Sequence, residues 1–443
     1  MGKATEKTSK ASRNFVLLLL TLVYMFNFID RQIIGILSPF IQADLELSNS
    51  QMGLLKGFLF ALFYTVVGIP IAWLADRYNR VNIIALSLAI WSGFTALTGM
   101  ANSFLTIGLA RMGVGIGEAG GSPPSHSIIS DLFPKEERAR ALAIYSIGIP
   151  IGIGFAYFIA GFALGNPEGD FNWRTLLIWL GIIGVALAVL VRVFIPEPER
   201  GQQEKLKKDQ LNVPFLTALK TLLTIKSWWA MCMGIALTSF VSYALSTWQM
   251  DYLLPFDQDS NSGWGFKNMA YALAVIHLIP YGLGTYFGGT LTQRLAKNNV
   301  SNYGIVPAIS VLCALPLCLA AYWAPSVTLH MFFGFFLLFF LGIYLGPSFA
   351  IAQTLAPVNM RAMSTALFFL ILNLSALGGG PTTVGFLADI FKPEHGQVHA
   401  IRLSITAISF MFILASMSFF IVAKTLPKDW AEAEARNEGS AKG

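Results

Sequence analysis

Four charged side chains sit where apolar sequence surrounds them. Asp30 and Arg31 are adjacent inside the run that begins near Phe15, and Arg111 and Glu118 lie inside a second run, seven residues apart. On a helix that spacing is close to two turns, about 10 Å of rise on one face. Ionisable groups in such surroundings cost several kcal/mol each unless paired or hydrated, and they usually mark a pathway. The chemistry open to them is proton binding by the carboxylates and anion or carboxylate pairing by the arginines. Rise per residue puts Asp30 about 13 Å, and Arg111 about 12 Å, from the same end of their helices, so a pair between them is expected. Glu118 lies deeper. Burial and a nearby arginine act on its protonation in opposite senses, so proton binding there responds to any movement of Arg31 or Arg111. Glu118 is therefore the expected proton switch.

The elements that position these residues follow from the solvent the chain was selected for. Of 443 residues, 55% are hydrophobic and only 12% are charged. Soluble domains carry about a quarter charged residues. Val81 to Ala110 and Met331 to Ala356 contain no charge at all, and about 20 apolar residues suffice to span a bilayer. Spans are predicted near 15–39, 51–75, 81–101, 103–131, 138–164, 173–195, 226–253, 268–293, 303–323, 328–355, 362–388 and 399–424. The expected fold is an all-α membrane protein with twelve transmembrane helices in two pseudo-symmetric six-helix bundles. Its divisions are a cytoplasmic N-terminal tail at 1–14, a bundle at 15–196, a cytoplasmic linker at 197–225, a second bundle at 226–425 and a cytoplasmic tail at 426–443. The first span is expected to be retained and not cleaved as a signal peptide, because no small-residue cleavage site follows it.

Lysine and arginine fix the expected orientation. Both termini, the linker and most loops on one side are basic, whereas the other side holds only Arg174, Lys267, Lys392 and Arg402. The positive-inside rule makes the basic side cytoplasmic in a multi-pass inner (plasma) membrane. The net charge of +6 is explained that way and not by nucleic-acid binding. The halves repeat weakly: Gly68 to Arg77 ends the second span as Gly284 to Arg294 ends the eighth, and Arg138 and Arg361 precede the fifth and eleventh. Such repeats place a transporter's site between the halves.

The loop after the second span reads Asp76-Arg77-Tyr78-Asn79-Arg80. It resembles the signature loop of the major facilitator superfamily, with Ala72 and Asn79 where glycines are usual. A helix N-terminus attracts negative charge. Asp76 is accordingly expected to latch the start of the eleventh span, with Arg77, Arg80 and Arg140 completing a cytoplasmic gate. Together with Phe28-Ile-Asp30-Arg31, Gly115-Ile-Gly117-Glu118-Ala119 and Asp131-Leu-Phe133-Pro134-Lys135, this loop is similar to the spinster family of that superfamily across roughly residues 25–160. In the second half only Trp248 and the topology carry the resemblance. It implies a major facilitator fold, Glu118, Asp30, Arg31 and Arg111 in a central cavity, and carboxylate protonation that drives the conformational change. It also implies an amphipathic substrate of lysophospholipid or sphingolipid type.

The expected function is thus a proton-coupled secondary transporter working by alternating access on a lipid-like anion. Alternatives are a proton-coupled organic-anion symporter and a drug/proton antiporter; Gly148-Ile-Pro150-Ile-Gly152-Ile-Gly154 is a degenerate form of an antiporter pattern. The absence of a Gly-Lys-Ser/Thr phosphate loop argues against ATP-driven transport. No metal cluster, cofactor or enzymatic nucleophile is expected. Cys232, Cys313 and Cys318 are read as small hydrophobes. His126 and His277 are read as core residues, Lys56 as a snorkelling side chain and Asp389 as interfacial. Phe332, Phe333, Phe335, Phe336, Phe339, Phe340 and Tyr344 supply aromatic surface that suits either an acyl tail or contact with membrane lipid. Partners are the substrate, protons and membrane lipid, and the chain is expected to act as a monomer.

Overall fold

A computed structural model of the chain describes residues 10–75, 77–165, 172–199, 215–260, 263–357 and 360–441. Among them no strand occurs, and long helices alternate with short turns. Ten helical stretches are long and apolar enough to cross a membrane. The two further spans escape that criterion for physical reasons. The fourth is split into Phe104–Glu118 and Ser122–Leu132. Pro123 and Pro124 follow the split and cannot donate to the ladder, and the Ser125 hydroxyl satisfies the carbonyl of Gly121 at 2.7 Å. The eleventh and twelfth run together within Gly380–Ser409, but the backbone turns at Gly396 with φ of 73°, a conformation that glycine adopts without penalty. The fold is the expected twelve-helix one.

Helix starts are set by local capping. Asn79 accepts from the backbone of Asn82 to begin Arg80–Gly99. Ser103 and Thr106 form a reciprocal capping box at Phe104–Glu118. Asn172 and Ser326 cap Trp173–Phe194 and Val327–Ile343 in the same way. Each such side chain satisfies one of the donors a helix N-terminus leaves open. Asn79 thus occupies its place in the signature loop as the cap of the third span.

The chain packs as two compact units. Of the described residues, one holds those up to Ile34 and those between Leu62 and Glu199; the other holds Gly35–Ala61 and those from Phe215 onward. The division drawn from the sequence kept 15–196 together, whereas here the hairpin 35–61 joins the second-half helices. In the first unit Arg80–Gly99 packs along Trp173–Phe194 and beside Phe104–Glu118. In the second, Lys226–Ser260 is the central helix, against Met411–Ala441 and Gly380–Ser409.

Candidate functional site

The charged cluster forms inside the first unit. Gly117 makes this possible. A Cβ there would lie 2.5 Å from the backbone nitrogen of Trp91, so only glycine lets the fourth span lie flat against the third. That close approach carries Arg111 and Glu118 to the buried face, where each is at most 2% exposed. Asp30 comes from the first span and is 1% exposed.

Within the cluster Arg31 Nε donates to Glu118 Oε2 at 2.6 Å. The arginine side chain is 12% exposed and that of the glutamate 0%. Arg31 also lies over the Tyr64 ring at 4.5 Å and the Phe28 ring at 5.2 Å, contacts that favour a guanidinium over an ammonium. Glu118 Oε1 has no hydrogen-bond partner, and neither has either oxygen of Asp30. Asp30 and Arg111, expected to pair, are related by electrostatic attraction, with no hydrogen bond at either Asp30 oxygen. Arg111 attracts Asp30 electrostatically and Glu118 repels it, while Thr95 and Trp91 are the polar side chains facing it. Trp91 Nε1 and Asn27 Oδ1 are themselves buried without a partner. Two acids and two arginines thus share one buried compartment, and three of the four carboxylate oxygens have no hydrogen bond to the protein. A carboxylate in that state takes a proton with little rearrangement, and an arginine freed from it can hold another anion.

The residues expected at the cytoplasmic gate fall in different places. Asp76 lies outside the described residues. Arg77 is exposed, with its guanidinium 4.0 Å from the centre of the Trp73 ring and hydrogen-bonded to the Trp73 carbonyl. Arg140 is exposed on Lys135–Ser146. Arg80 is 1% exposed and braces the first unit. It donates to Glu197 Oε1 at 2.7 Å, to Ser127 at 2.8 Å, to the Pro198 carbonyl at 2.8 Å and to the Asp131 carboxylate. His126 meets Tyr145 edge-on at 5.2 Å, and Tyr145 stacks on Tyr24 at 4.3 Å.

Sequence reasoning missed the polar face of Lys226–Ser260. Trp248 donates to the Pro381 carbonyl at 2.8 Å. Gln249 accepts from His277 at 3.1 Å and approaches His330 at 3.5 Å. Tyr252 donates to the Tyr322 carbonyl and accepts from Arg402. Asp251 pairs with Lys56 at 2.6 Å, both side chains sealed from solvent. Lys56 is therefore not a snorkelling side chain. A lone cation in the second span and a lone acid in the seventh were the signal that could have found the pair. In the tenth span Phe332, Phe335 and Phe336 are exposed on one stripe, whereas Tyr344 is buried and hydrogen-bonded to Ser239 at 2.9 Å. The stripe suits contact with hydrocarbon, so a tail-binding surface is not assigned to it.

Twelve spans with a compartment of buried acids and arginines define a membrane transport protein. A profile of the Major Facilitator Superfamily matches residues 20–380. An "MFS-type efflux pump" of Mycolicibacterium smegmatis is 29% identical over 427 residues, covering 94% of both chains. "Protein spinster" of Drosophila melanogaster is 30% identical over 393 residues, 87% of this chain and 63% of that one. A crystal structure of a bacterial homologue of the human lysosomal transporter spinster, described as inward-facing and unoccupied, superposes with a TM-score of 0.85 at 30% identity. That match covers 95% of this chain and 99% of the other. The chain belongs to the Major Facilitator Superfamily and, within it, to the spinster family.

Proposed function

We propose that this protein is a proton-coupled secondary transporter that works by alternating access, with an amphipathic lipid-like anion of lysophospholipid or sphingolipid type as its cargo. The carrying observation is the Arg31–Glu118 pair with its unpartnered second oxygen beside Asp30. Protonating Glu118 removes the charge that holds Arg31, and an anionic headgroup then takes the place of the carboxylate. The Glu118 carboxylate and the headgroup compete for one guanidinium, so proton binding at Glu118 favours cargo binding at Arg31, which couples their movements. Asp30 is the second proton-coupling group and Arg111 the fixed counter-charge. Asp76, Arg77 and Arg140 serve the cytoplasmic gate in this scheme. Both termini face the cytoplasm in this scheme, a reading supported by the distribution of basic residues.

The lipid-like cargo rests on membership of the spinster family and on the two arginines. A drug/proton antiporter is the second reading, favoured by the likeness to the efflux pump of M. smegmatis. Reconstituted protein separates the two. Under an imposed pH gradient, uptake of a lysophospholipid series is compared with uptake of cationic drugs and of sugar acids. Each buried methylene contributes about 0.8 kcal/mol, so lysolipid affinity rises with chain length until the site is filled. Affinity that is flat with chain length, or better transport of a cationic drug or sugar acid than of every lysolipid, overturns the lipid reading.

A further inference from the structure

His277, Gln249 and His330 form a buried hydrogen-bond chain in the second unit. His330 lies in the first turn of the tenth span, Val327–Ile343, and its Nδ1 is 3.0 Å from the carbonyl of Ala321, in the last turn of the ninth, Asn302–Tyr322. A carbonyl only accepts, so that nitrogen carries the hydrogen and Nε2 of the neutral ring is an acceptor. Gln249 Nε2, 3.5 Å away, is the donor facing it. The other end of the Gln249 amide, Oε1, then accepts from His277 Nε2 at 3.1 Å. One carbonyl thus fixes every donor and acceptor from the eighth span through the seventh to the tenth. The side chains belong to residues that are 6%, 8% and 1% exposed, in chain order from His277 through Gln249 to His330.

The chain is complete only while His330 is neutral. A proton on its Nε2 sets a donor against the Gln249 NH2 group. Turning the amide over moves the conflict to His277, whose Nε2–H then meets that group. The surroundings offer the added charge no acid. The Tyr252 ring of the seventh span lies 5.5 Å from the His330 ring, and the Tyr322 ring of the ninth lies 5.0 Å from it. Arg402 of the last span donates to the Tyr252 hydroxyl at 3.1 Å and is the charge that bears on His330. Asp251 is taken by Lys56, and among the described residues no carboxylate bears on either imidazole. An imidazolium held there is a buried charge without compensation, which hydration relieves. A cavity of about 20 Å³ lies against the chain, lined in part by Ser246, Gln249, His277, Tyr322, His330 and Gly334. It has room for one water with several polar partners, so a proton has a carrier to Nε2.

We propose that His330, with Gln249 and His277, is a proton-binding site of the second unit, and that one proton taken up there unlinks the tenth span from the seventh and eighth. Neutral, the chain ties the three spans together. Charged, the ring leaves Gln249 for water and the tie is broken. The opened state binds more protons than the closed one, so lowering the pH favours it. The site acts independently of Glu118 and of the nature of the cargo.

Ser246→Cys places a thiol on the cavity wall of the full chain, purified in detergent. Its labelling by a polar maleimide is measured at about pH 7.5 and about pH 5.5, on either side of the ordinary histidine value. Rates are taken relative to the same protein unfolded at the same pH, with the protein lacking that substitution as background. An opened, hydrated ring titrates as free imidazole, near 6.5, so the rate is expected to rise about tenfold at the lower pH. With His330→Gln added, which cannot titrate, the two rates should agree within about twofold. With Glu118→Gln added instead, the rise should persist. Gln249→Leu cuts the chain at any pH and should raise the rate at about pH 7.5 by about fivefold, the worth of one buried hydrogen bond. It stands in for His330→Gln should that variant fail to fold by size-exclusion profile. Ring-nitrogen magnetic resonance at the higher pH should find the hydrogen of His330 on Nδ1 and that of His277 on Nε2. A parent rate that does not change with pH, a change that survives His330→Gln, a rise that disappears with Glu118→Gln, a Gln249→Leu protein that labels like the parent, or the opposite tautomers overturn the site.

Discussion

Arg31 and Glu118 are bonded at 2.6 Å through one oxygen of the carboxylate, and the other oxygen is buried with no partner. The arginine reaches the edge of the packed unit while the glutamate is sealed within it. The pair is thus asymmetric: the cation can meet solvent or an incoming anion, and the acid exchanges its proton only when the compartment opens.

Glu118→Gln keeps a carbonyl acceptor for Arg31 but can neither bind nor release a proton. Transport by this variant in proteoliposomes is expected to lose its pH dependence, while its size-exclusion profile stays that of the parent. Wild-type flux with a wild-type pH response would remove Glu118 from the coupling mechanism.

Asp30 is buried with both oxygens unbonded and a repelling Glu118 nearby. Asn at this position removes a charge that the structure compensates only at a distance, through Arg111. Asp30→Asn should therefore melt at or above the parent temperature although transport falls. Arg111→Gln, which leaves Asp30 without its counter-charge while Glu118 keeps Arg31, should be the worse single change, by roughly 3–5 kcal/mol. In the double variant the loss should be smaller than the sum of the singles. Additive melting shifts would separate the two residues electrostatically.

The spans were legible because two signals coincide in them, apolar runs of membrane length and capping residues at their starts. Arg80–Gly99 opens directly after Asn79, and Trp173–Phe194 directly after Asn172. The four cluster residues were legible as charges that apolar sequence does not tolerate without a reason. Their pairing was not. Depth follows from rise per residue, but adjacent residues on a helix point about 100° apart, and depth alone cannot say whether Asp30 or Arg31 turns toward the fourth span. Lys56 was misread because its partner is 195 residues away in the chain. The tenth-span phenylalanines were ambiguous for a related reason. A helix that is apolar all round does not declare which face meets protein and which meets lipid.

Arg80, expected at a gate, is a buried brace. It ties the start of the third span to the end of the fourth through Asp131 and to the segment after the sixth through Glu197 and Pro198. Arg80→Gln strips the counter-charge from two acids that are themselves 14% and 23% exposed. That partial exposure moderates the loss to roughly 2–4 kcal/mol. Melting in detergent measures it. An unchanged melting temperature together with altered transport would return Arg80 to the gate.

Asp389 lies just past the end of the eleventh span and caps the start of the second, accepting from the Asn49 amide at 3.0 Å and the Ser50 amide at 2.8 Å. Partial burial pushes its carboxyl upward, but the hydrogen bonds from Ser50 and Asn49 outweigh that and hold it below the ordinary aspartate range. A carboxylate with a depressed folded-state pKa contributes stability that is fully present above its unfolded value, near 3.9, and lost only as pH falls through the lower folded one. Between pH 5 and pH 8 the contribution is therefore constant. Asp389→Asn should cost about 0.5–2 kcal/mol, the usual worth of a capping side chain, and by the same amount at every pH in that window. The pH profile of transport should not move, in contrast to Glu118→Gln. Thermal melts of parent and variant at pH 5, 6, 7 and 8, paired with flux at each pH, test both statements. A melting difference that changes across the window, or a displaced transport profile, would mean that Asp389 titrates during the cycle and does more than cap a helix.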